Sequence, residues 1–486
     1  MGAAATVVEP ATSSIGGDAF ALVWDGTRLH GLNGSGRAPM GLTAEAVRLR
    51  GHESIPEHGW LPVTVPGAPA AWRDLHDRFG TLPFARLLEP AASYAELGHP
   101  ASPISVWHWR WQVEEVHRAL AGDEFAGFLD VFAPDGTPPR VGEIWRSPDM
   151  ARSLRLIAET GSECVYRGEI AERIVAFARA TGGFIAETDL ESHTSTWVDP
   201  IATSYRGHDV WELPPNAQGL AALIALNILE QFDLASTPRN SGESFHLQIE
   251  AMKLAFADAH RYIADPERRS IPVDELLAKE YAAGRRVLIG DEAGAPPPGE
   301  PTRSDTIYLC AADAGGMMVS YIQSACGGCG SHVVVPGTGI VLQNRGTGFS
   351  LDSAHPNVLE PGKRPFHTII PGFLTKDGAA IGPFGVMGGH MQPQGHVQMV
   401  VNTVDYRMDP QTSLDQPRWN WLRERRVLVE PDTDPAILDE LRRRGHAADV
   451  WSELDAWGRG QIIWRLPSGA YVAGSDHRGD GHATGW

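Results

Sequence analysis

Apolar residues in the first part of the chain recur at helical spacing, while after about position 306 they come in short runs cut by glycine. Positions 70–79 and 85–98 carry that helical spacing, and the second stretch ends at Gly98, as a helix C-terminus does. Positions 147–160 and 169–180 read as two further amphipathic helices. The strongly apolar stretch 216–232 predicts a helix packed on a sheet. The clearest amphipathic stretch is 243–264, where Phe245, Ile249, Met252, Leu254, Phe256 and Ile263 fall largely at helical spacing. It stops at Asp265-Pro266, since proline disfavours helix at the residue before it. Residues 21–24 and 28–32 flank Asp25-Gly26 and predict a hairpin. A second hairpin is predicted from 307–312, a break at Asp313-Ala314-Gly315-Gly316, and 317–323. Helical patches follow near 395–404 and 434–445, and no internal repeat is visible. Helices in the first part and strands in the second do not by themselves name a fold.

The junction Ser304-Asp305-Thr306-Ile307 stands out from this pattern. Before it runs Ala293-Gly294-Ala295-Pro296-Pro297-Pro298-Gly299-Glu300-Pro301, which suits neither a helix nor a central strand. The segment 291–304 therefore reads as a linker dividing a helix-rich part, 1–305, from a strand-rich part, 306–486. A threonine released at such a junction has useful chemistry. Its hydroxyl needs a base, and a freed α-amine has a reference pKa of about 8 against about 10.4 for lysine. On spacing alone, a threonine opening a strand is explained by β-propensity. The Cys326-Gly327-Gly328-Cys329 run could be a redox pair or half a zinc site, but no second pair exists and His332 stands alone.

Bulk properties narrow the class. A chain of 486 residues with 42% hydrophobic content can bury a large core. A net charge of -19 argues against nucleic-acid and anionic-membrane partners, which need concentrated Lys and Arg. No apolar run reaches the roughly 18 to 20 residues of a membrane span. Four cysteines are too few for a disulfide scaffold, and Met1-Gly2-Ala3-Ala4-Ala5 does not resemble a signal peptide, so a cytoplasmic address is the expectation.

A series of motifs then adds what spacing does not. Val8-Glu9-Pro10 with Ser14-Ile15-Gly16-Gly17-Asp18-Ala19-Phe20, Val65-Pro66-Gly67, Tyr94-Ala95-Glu96-Leu97-Gly98 and Pro214-Pro215-Asn216-Ala217-Gln218-Gly219 occur in order. Asp305-Thr306, Gln343-Asn344-Arg345-Gly346, Pro361-Gly362-Lys363-Arg364-Pro365, Gly388-Gly389 and Gly474-Ser475-Asp476 complete the order. In this series the sequence resembles the γ-glutamyltranspeptidase family of amino-terminal-nucleophile hydrolases. The resemblance implies an α+β fold, a four-layer αββα sandwich, with both fragments of a self-cleaved precursor in one interleaved core. It implies cleavage between Asp305 and Thr306, Thr306 as nucleophile, Ser324 as a second hydroxyl facing it, and Gly388 and Gly389 as oxyanion donors. No cofactor and no metal are implied. Family members normally carry a further helical segment before the Glu-Pro of the first motif, which leaves the true start and a leader open.

The departures from the family pattern concern the substrate. Ser35 stands where the glutathione-processing branch has a carboxylate-binding arginine, and Gly348 stands where it has an acidic residue. His367-Thr368 replaces a Ser-Ser pair. Arg345, and second to it Arg37, are then the candidates to hold a carboxylate, with a structural arginine as the alternative for Arg345. The expected activity is that of an amidohydrolase or acylase on a small-molecule amide. The alternatives are a true γ-glutamyltranspeptidase and an inactive, unprocessed relative that acts as a binding protein. Around Cys326 and Cys329 the family has an aromatic-containing loop, so four small residues predict a roomier pocket wall. A higher homo-oligomer remains open.

Overall fold

The computed structural model describes residues 1–294 and 305–485. From position 295 on, the linker expected at 291–304 lies outside the described residues. Eleven strands build two sheets: β1 (Asp18–Trp24), β2 (Leu29–Gly34), β3 (Thr196–Val198), β4 (Ile201–Tyr205), β5 (His208–Glu212), β6 (Asp305–Ala312), β7 (Met318–Cys326), β8 (Gly372–Lys376), β9 (Ala379–Val386), β10 (Gly460–Arg465) and β11 (Tyr471–Ser475). One sheet runs β3-β2-β1-β7-β6, the other β11-β10-β9-β8-β5-β4, and every pairing within them is antiparallel. The segments before and after Thr306 both supply strands to both sheets. The two expected hairpins are β1–β2 and β6–β7.

The alternation of β1 shows why the layers stack. Phe20, Leu22 and Trp24 pack with Leu213, Tyr308, Met318, Ile322, Phe373 and Met387 in the core between the sheets. Ala19, Ala21 and Val23 face the opposite way, into a core shared with the helices α1 (Ala68–Phe79), α2 (Phe84–Leu97), α3 (Pro148–Thr160) and α4 (Glu169–Thr181). A strand covered on both faces needs no polar side chains, and all seven residues of β1 are buried. On the other outside face, Leu374, Phe384, Val386 and Ile462 pack against α5 (Gly219–Leu229), α6 (Gly242–Tyr262) and α7 (Met391–Val404). The result is helix, sheet, sheet, helix: the four-layer αββα sandwich.

Two helices differ from the sequence reading, each for a local reason. The helix expected at 216–232 is α5, Gly219–Leu229, and its first turn is given up. Asn216 and Gln218 spend their polar groups on the segment around His367: Asn216 Nδ2 donates to the Pro365 carbonyl at 2.7 Å, and the Gln218 N–H to the His367 carbonyl at 3.0 Å. The helix expected from Gly395 is α7, Met391–Val404. Gly395 lies inside it because a Cβ there would run into Val386 of β9. The helix expected at 434–445 is α8 (Pro435–Arg443).

The motif residue Asp476 has a structural task. Its carboxylate accepts from Arg418 Nη2, from Arg478 Nη1 at 3.1 Å and from the Gly460 N–H at 2.9 Å. Arg418 in turn donates to the Trp457 and Gly458 carbonyls at 2.7 and 3.0 Å. A Cβ on Gly388 would lie 3.0 Å from the Gly458 Cα, so this network fixes the backbone against which Gly388 rests. Burial would raise the Asp476 carboxyl, but the guanidiniums of Arg418 and Arg478 outweigh it and hold it below its ordinary value. A lowered carboxylate contributes stability above the ordinary range and loses it as pH falls through the lowered value. Replacing Asp476 by Ala strands a buried guanidinium and is expected to cost roughly 3–5 kcal/mol of stability. Denaturant unfolding near neutral pH checks this, and a loss under 1 kcal/mol would show that the network is not what holds the segment.

Candidate functional site

Thr306 is placed by an irregularity in the β6–β7 pairing. Asp305 pairs with Cys326 and Ile307 with Gln323, so Thr306 alone faces both Ser324 and Ala325. Such a bulge adds a residue to one strand and re-aims the side chains around it. Here the Thr306 hydroxyl donates to Ser324 Oγ at 3.2 Å, and both residues are buried. Ser324 Oγ also accepts from the Cys326 N–H at 2.8 Å and from Arg345 Nη2 at 3.0 Å. Arg345 Nη1 continues to Thr368 Oγ1 at 2.6 Å. The sequence-predicted residues Thr306, Ser324, Arg345 and Thr368 thus form one continuous chain of hydrogen bonds.

Arg345 is the unusual member. It is 1% exposed, its contacts among the described residues are hydroxyls rather than carboxylates, and its Nε has no partner. A guanidinium taken out of water is costly unless it is paired. The nearest compensation is electrostatic, from Asp18 of β1, a strand neighbour of Ser324. Burial pushes the Asp18 carboxyl up to about 7 against the opposing pull of Arg345 and of hydrogen bonds from Gln343 and Gly36. Gln343 Nε2 and the Gly36 N–H donate to Asp18 Oδ1 at 2.8 and 3.0 Å, and the His367 ring meets Oδ2 at 3.0 Å. His367 is fully buried, and burial with the charges of Arg345 and Arg364 pushes its pKa far down, so the ring is neutral. Its Nδ1 accepts from the Ile369 N–H at 3.3 Å, which leaves Nε2–H to donate to Asp18.

Gly388 and Gly389 lead into α7 with φ of 122° and 61°, a region that favours glycine. Among the described residues their N–H groups donate to no acceptor, while their carbonyls accept from the Met391 and Gln392 N–H groups at 3.0 and 3.1 Å. Open donors at the start of a 14-residue helix suit an anion or a developing oxyanion. Gln218 Nε2 holds this turn from behind, donating to the Gly389 carbonyl at 2.8 Å and to the Thr368 carbonyl.

Two predicted substrate residues have other contacts. Ser35 is fully buried, and its hydroxyl donates to Asn33 Oδ1 at 2.7 Å. Arg37 pairs with Glu267 at 2.6 Å and Asp265 at 3.4 Å and donates to the Gly362 carbonyl. Asp18, Gln218 and Gln343 support the site without having been assigned a role from sequence, although all three lie inside the quoted motifs. Cys326 and Cys329 are both buried. Their turn is tied by Gly327 N–H to Asn344 Oδ1 at 2.9 Å and Cys329 N–H to Gln112 Oε1 at 3.2 Å. Among the described residues one trio has metal-ligand spacing, His246, Glu250 and His446. Its carboxylate already holds the Lys253 ammonium at 2.6 Å, so the place of a cation is taken by the protein's own charge.

A Cβ added at Gly17 would lie 2.9 Å from the Ser324 carbonyl carbon. Both backbones are held in the sheet, so Gly17→Ala must shift Ser324. The expected result is at least a tenfold loss of turnover with a stability loss of about 1–3 kcal/mol, read by kinetics and denaturant unfolding side by side. Unchanged turnover would remove Ser324 from the working site.

The Gamma-glutamyltranspeptidase family model matches residues 1–486. The chain is 36% identical to the Glutathione hydrolase-like YwrD proenzyme of Bacillus subtilis (strain 168), covering 100% of this chain and 92% of that protein. It is 33% identical to the Oxamate amidohydrolase proenzyme of Klebsiella pneumoniae, with the same coverage of 100% and 92%. Among solved structures, cephalosporin acylase from Bacillus halodurans superposes with a TM-score of 0.96 at 51% identity, covering 100% of this chain and 90% of that one. This chain therefore belongs to the gamma-glutamyltranspeptidase family and is an enzyme with the amino-terminal-nucleophile hydrolase fold.

Proposed function

We propose that the chain is a self-cleaving amidohydrolase or acylase that works through an acyl-enzyme on Thr306. The observation that carries this is the buried hydrogen-bond chain from Thr306 through Ser324 to Arg345, within reach of a family frame whose members include amidohydrolase and acylase proenzymes. In the first step the Thr306 hydroxyl attacks the Asp305 carbonyl, and the peptide bond becomes an ester. Water hydrolyses the ester, leaving a carboxylate on Asp305 and a free α-amine on Thr306. That amine then takes the proton of its own hydroxyl as the oxygen attacks a substrate amide. The Gly388 and Gly389 N–H groups hold the tetrahedral oxyanion, and the leaving amine departs with the proton. Water releases the acid and restores Thr306. The two products of self-cleavage, 1–305 and 306–486, stay together because they share both sheets.

Arg345 serves in this reading as the anchor for a carboxylate on the acyl group. A buried guanidinium bonded only to hydroxyls is short of negative charge, and a substrate carboxylate supplies it. Acid-side amides such as oxamate and glutaryl amides fit this description. Gly348 offers no charge to an α-ammonium, and Ser35 is closed within the fold, so γ-glutamyl recognition is weak. No helix among the described residues is long and apolar enough to cross a membrane, and the setting proposed is the cytoplasm.

Electrophoresis of active protein should show two fragments, with the smaller beginning Thr-Ile-Tyr-Leu, and Thr306→Ala should give one uncut, inactive chain. Active material that remains uncut would defeat the mechanism. Arg345→Met is expected to raise KM for a glutaryl anilide by roughly 10- to 100-fold, the worth of a charge-assisted hydrogen bond, with a smaller change for an uncharged acyl anilide. Efficient turnover of a γ-glutamyl anilide with stimulation by dipeptide acceptors would instead favour a true transpeptidase.

A further inference from the structure

Three rings from separate segments meet beside Gly388-Gly389. His390 follows the glycines directly, His260 lies in the last turn of α6, and Phe366 precedes His367-Thr368. The ring centroids are 5.7 Å apart for His260 and His390, 5.9 Å for His260 and Phe366, and 5.9 Å for Phe366 and His390. The interplanar angles of 24°, 37° and 30° make them roughly parallel. All three are half-buried, while Phe256 and Trp421 behind them are buried. The cluster is thus partly open and is backed by buried aromatic side chains.

Its chemistry is π-rich and uncharged. Burial first, then the neighbouring His260 ring and the Arg345 guanidinium, which oppose a further positive charge, push the His390 ring down to about 3. Burial and His355 push His260 down to about 4. Both imidazoles are neutral near pH 7, and His390 Nδ1 is buried without a partner among the described residues. Gln218 Nε2 joins the Thr368 and Gly389 carbonyls, and Arg345 Nη1 meets Thr368 Oγ1 at 2.6 Å. Phe366 stands two residues before Thr368 and His390 one after Gly389, so the rings adjoin the segment that Arg345 contacts and the glycine pair itself. A charged acyl body would be desolvated against these rings with nothing to pair it. A flat one would stack on them.

We propose that His260, Phe366 and His390 form the wall of an acyl-group subsite. It takes a planar, aromatic acyl body whose far end carries a carboxylate for Arg345. This rests on the amide-hydrolysing reading given above, and it replaces a flexible aliphatic diacid by an aromatic one as the favoured acyl class.

The test uses 4-nitroanilides of terephthalic, glutaric and benzoic acid, which share one leaving group. The self-cleaved wild type should turn over the terephthalic monoanilide with the highest kcat/KM of the three. His390→Ala and His260→Ala should each lower that value about five- to tenfold, while the glutaryl anilide stays within twofold. Equal losses on both anilides, or no loss on either, would overturn the subsite. Should His390→Ala fail to self-cleave, His260→Ala on a different element decides alone. Calorimetric binding of free terephthalate and glutarate to the wild type gives a readout without turnover: tighter terephthalate supports the wall, and equal or weaker binding refutes it. If none of the three anilides is hydrolysed while terephthalate still binds more tightly, the fault lies with the proposed reaction and not with the ring wall.

Discussion

Burial, together with a positive charge enclosed at Arg345, sets the protonation of the groups around Thr306. The guanidinium is almost fully enclosed, and its bonds among the described residues go to Ser324 and Thr368 hydroxyls. Asp18 is drawn toward ionisation by that charge against the cost of its own burial. His367 and His390 are pushed to neutrality by burial with the same charge. The region around Thr306 therefore holds the Arg345 cation, a carboxylate raised by burial and neutral imidazoles, with Arg364 adding positive charge at Asp18 and His367. In the proposed mechanism that arrangement suits an anionic acyl group and an oxyanion, both of which gain from a cation in low dielectric.

The fold makes this arrangement rigid by crossing the chain over itself. Asp18 and Ser324 are register partners in adjacent strands, β1 and β7, although 306 positions separate them in sequence. His367 reaches Asp18 from a loop, and Gln218 reaches the Gly389 and Thr368 carbonyls from the start of α5. The Asp18–His367 contact, the Gln218 contacts and the β1–β7 pairing thus cross the Asp305-Thr306 bond, while the hydrogen bonds from Thr306 to Thr368 lie on one side of it. Breaking that bond removes a connection but none of these contacts, because the strands of both sheets still pair across it. A shared two-sheet core between fragments is the physical condition under which self-cleavage leaves a folded protein.

Much of this was legible in the sequence, and what was missed has a common cause. Periodicity placed the helices now seen as α1 to α4, α6 and α8 and both hairpins, because those elements bury one face or close through tight turns. It misjudged the starts of α5 and α7, where tertiary contacts decide: Asn216 and Gln218 serve the site loop, and Gly395 is a packing glycine. The motif series pointed to Thr306, Ser324 and the glycine pair, and the structure gathers Arg345 and Thr368 with the first two. Spacing alone had no means to show that Ser35 is enclosed by Asn33 or that Arg37 is spent on Asp265 and Glu267, since those partners lie in other loops. The roles of Asp18 and Gln343 were hidden for the same reason, as their contacts span hundreds of residues.

The substitutions at the substrate end then make sense together. By the resemblance, Gly348 stands where the glutathione-processing branch has an acidic residue and Ser35 where it has an arginine, and in the proposed reading this takes away one negative and one positive recognition group of an amino-acid substrate. Neither loss touches the Thr306–Ser324 contact or the open donors of Gly388 and Gly389. The remaining unpaired charge is Arg345, which asks for a carboxylate but offers nothing for an ammonium. In the proposed reading the rings at 260, 366 and 390 line the acyl group, and burial keeps the two imidazoles neutral, with His355 adding to the effect on His260 and Arg345 to that on His390. In the proposed reading the acyl-transfer groups can therefore stay fixed while the recognised group changes from a zwitterion to an anion.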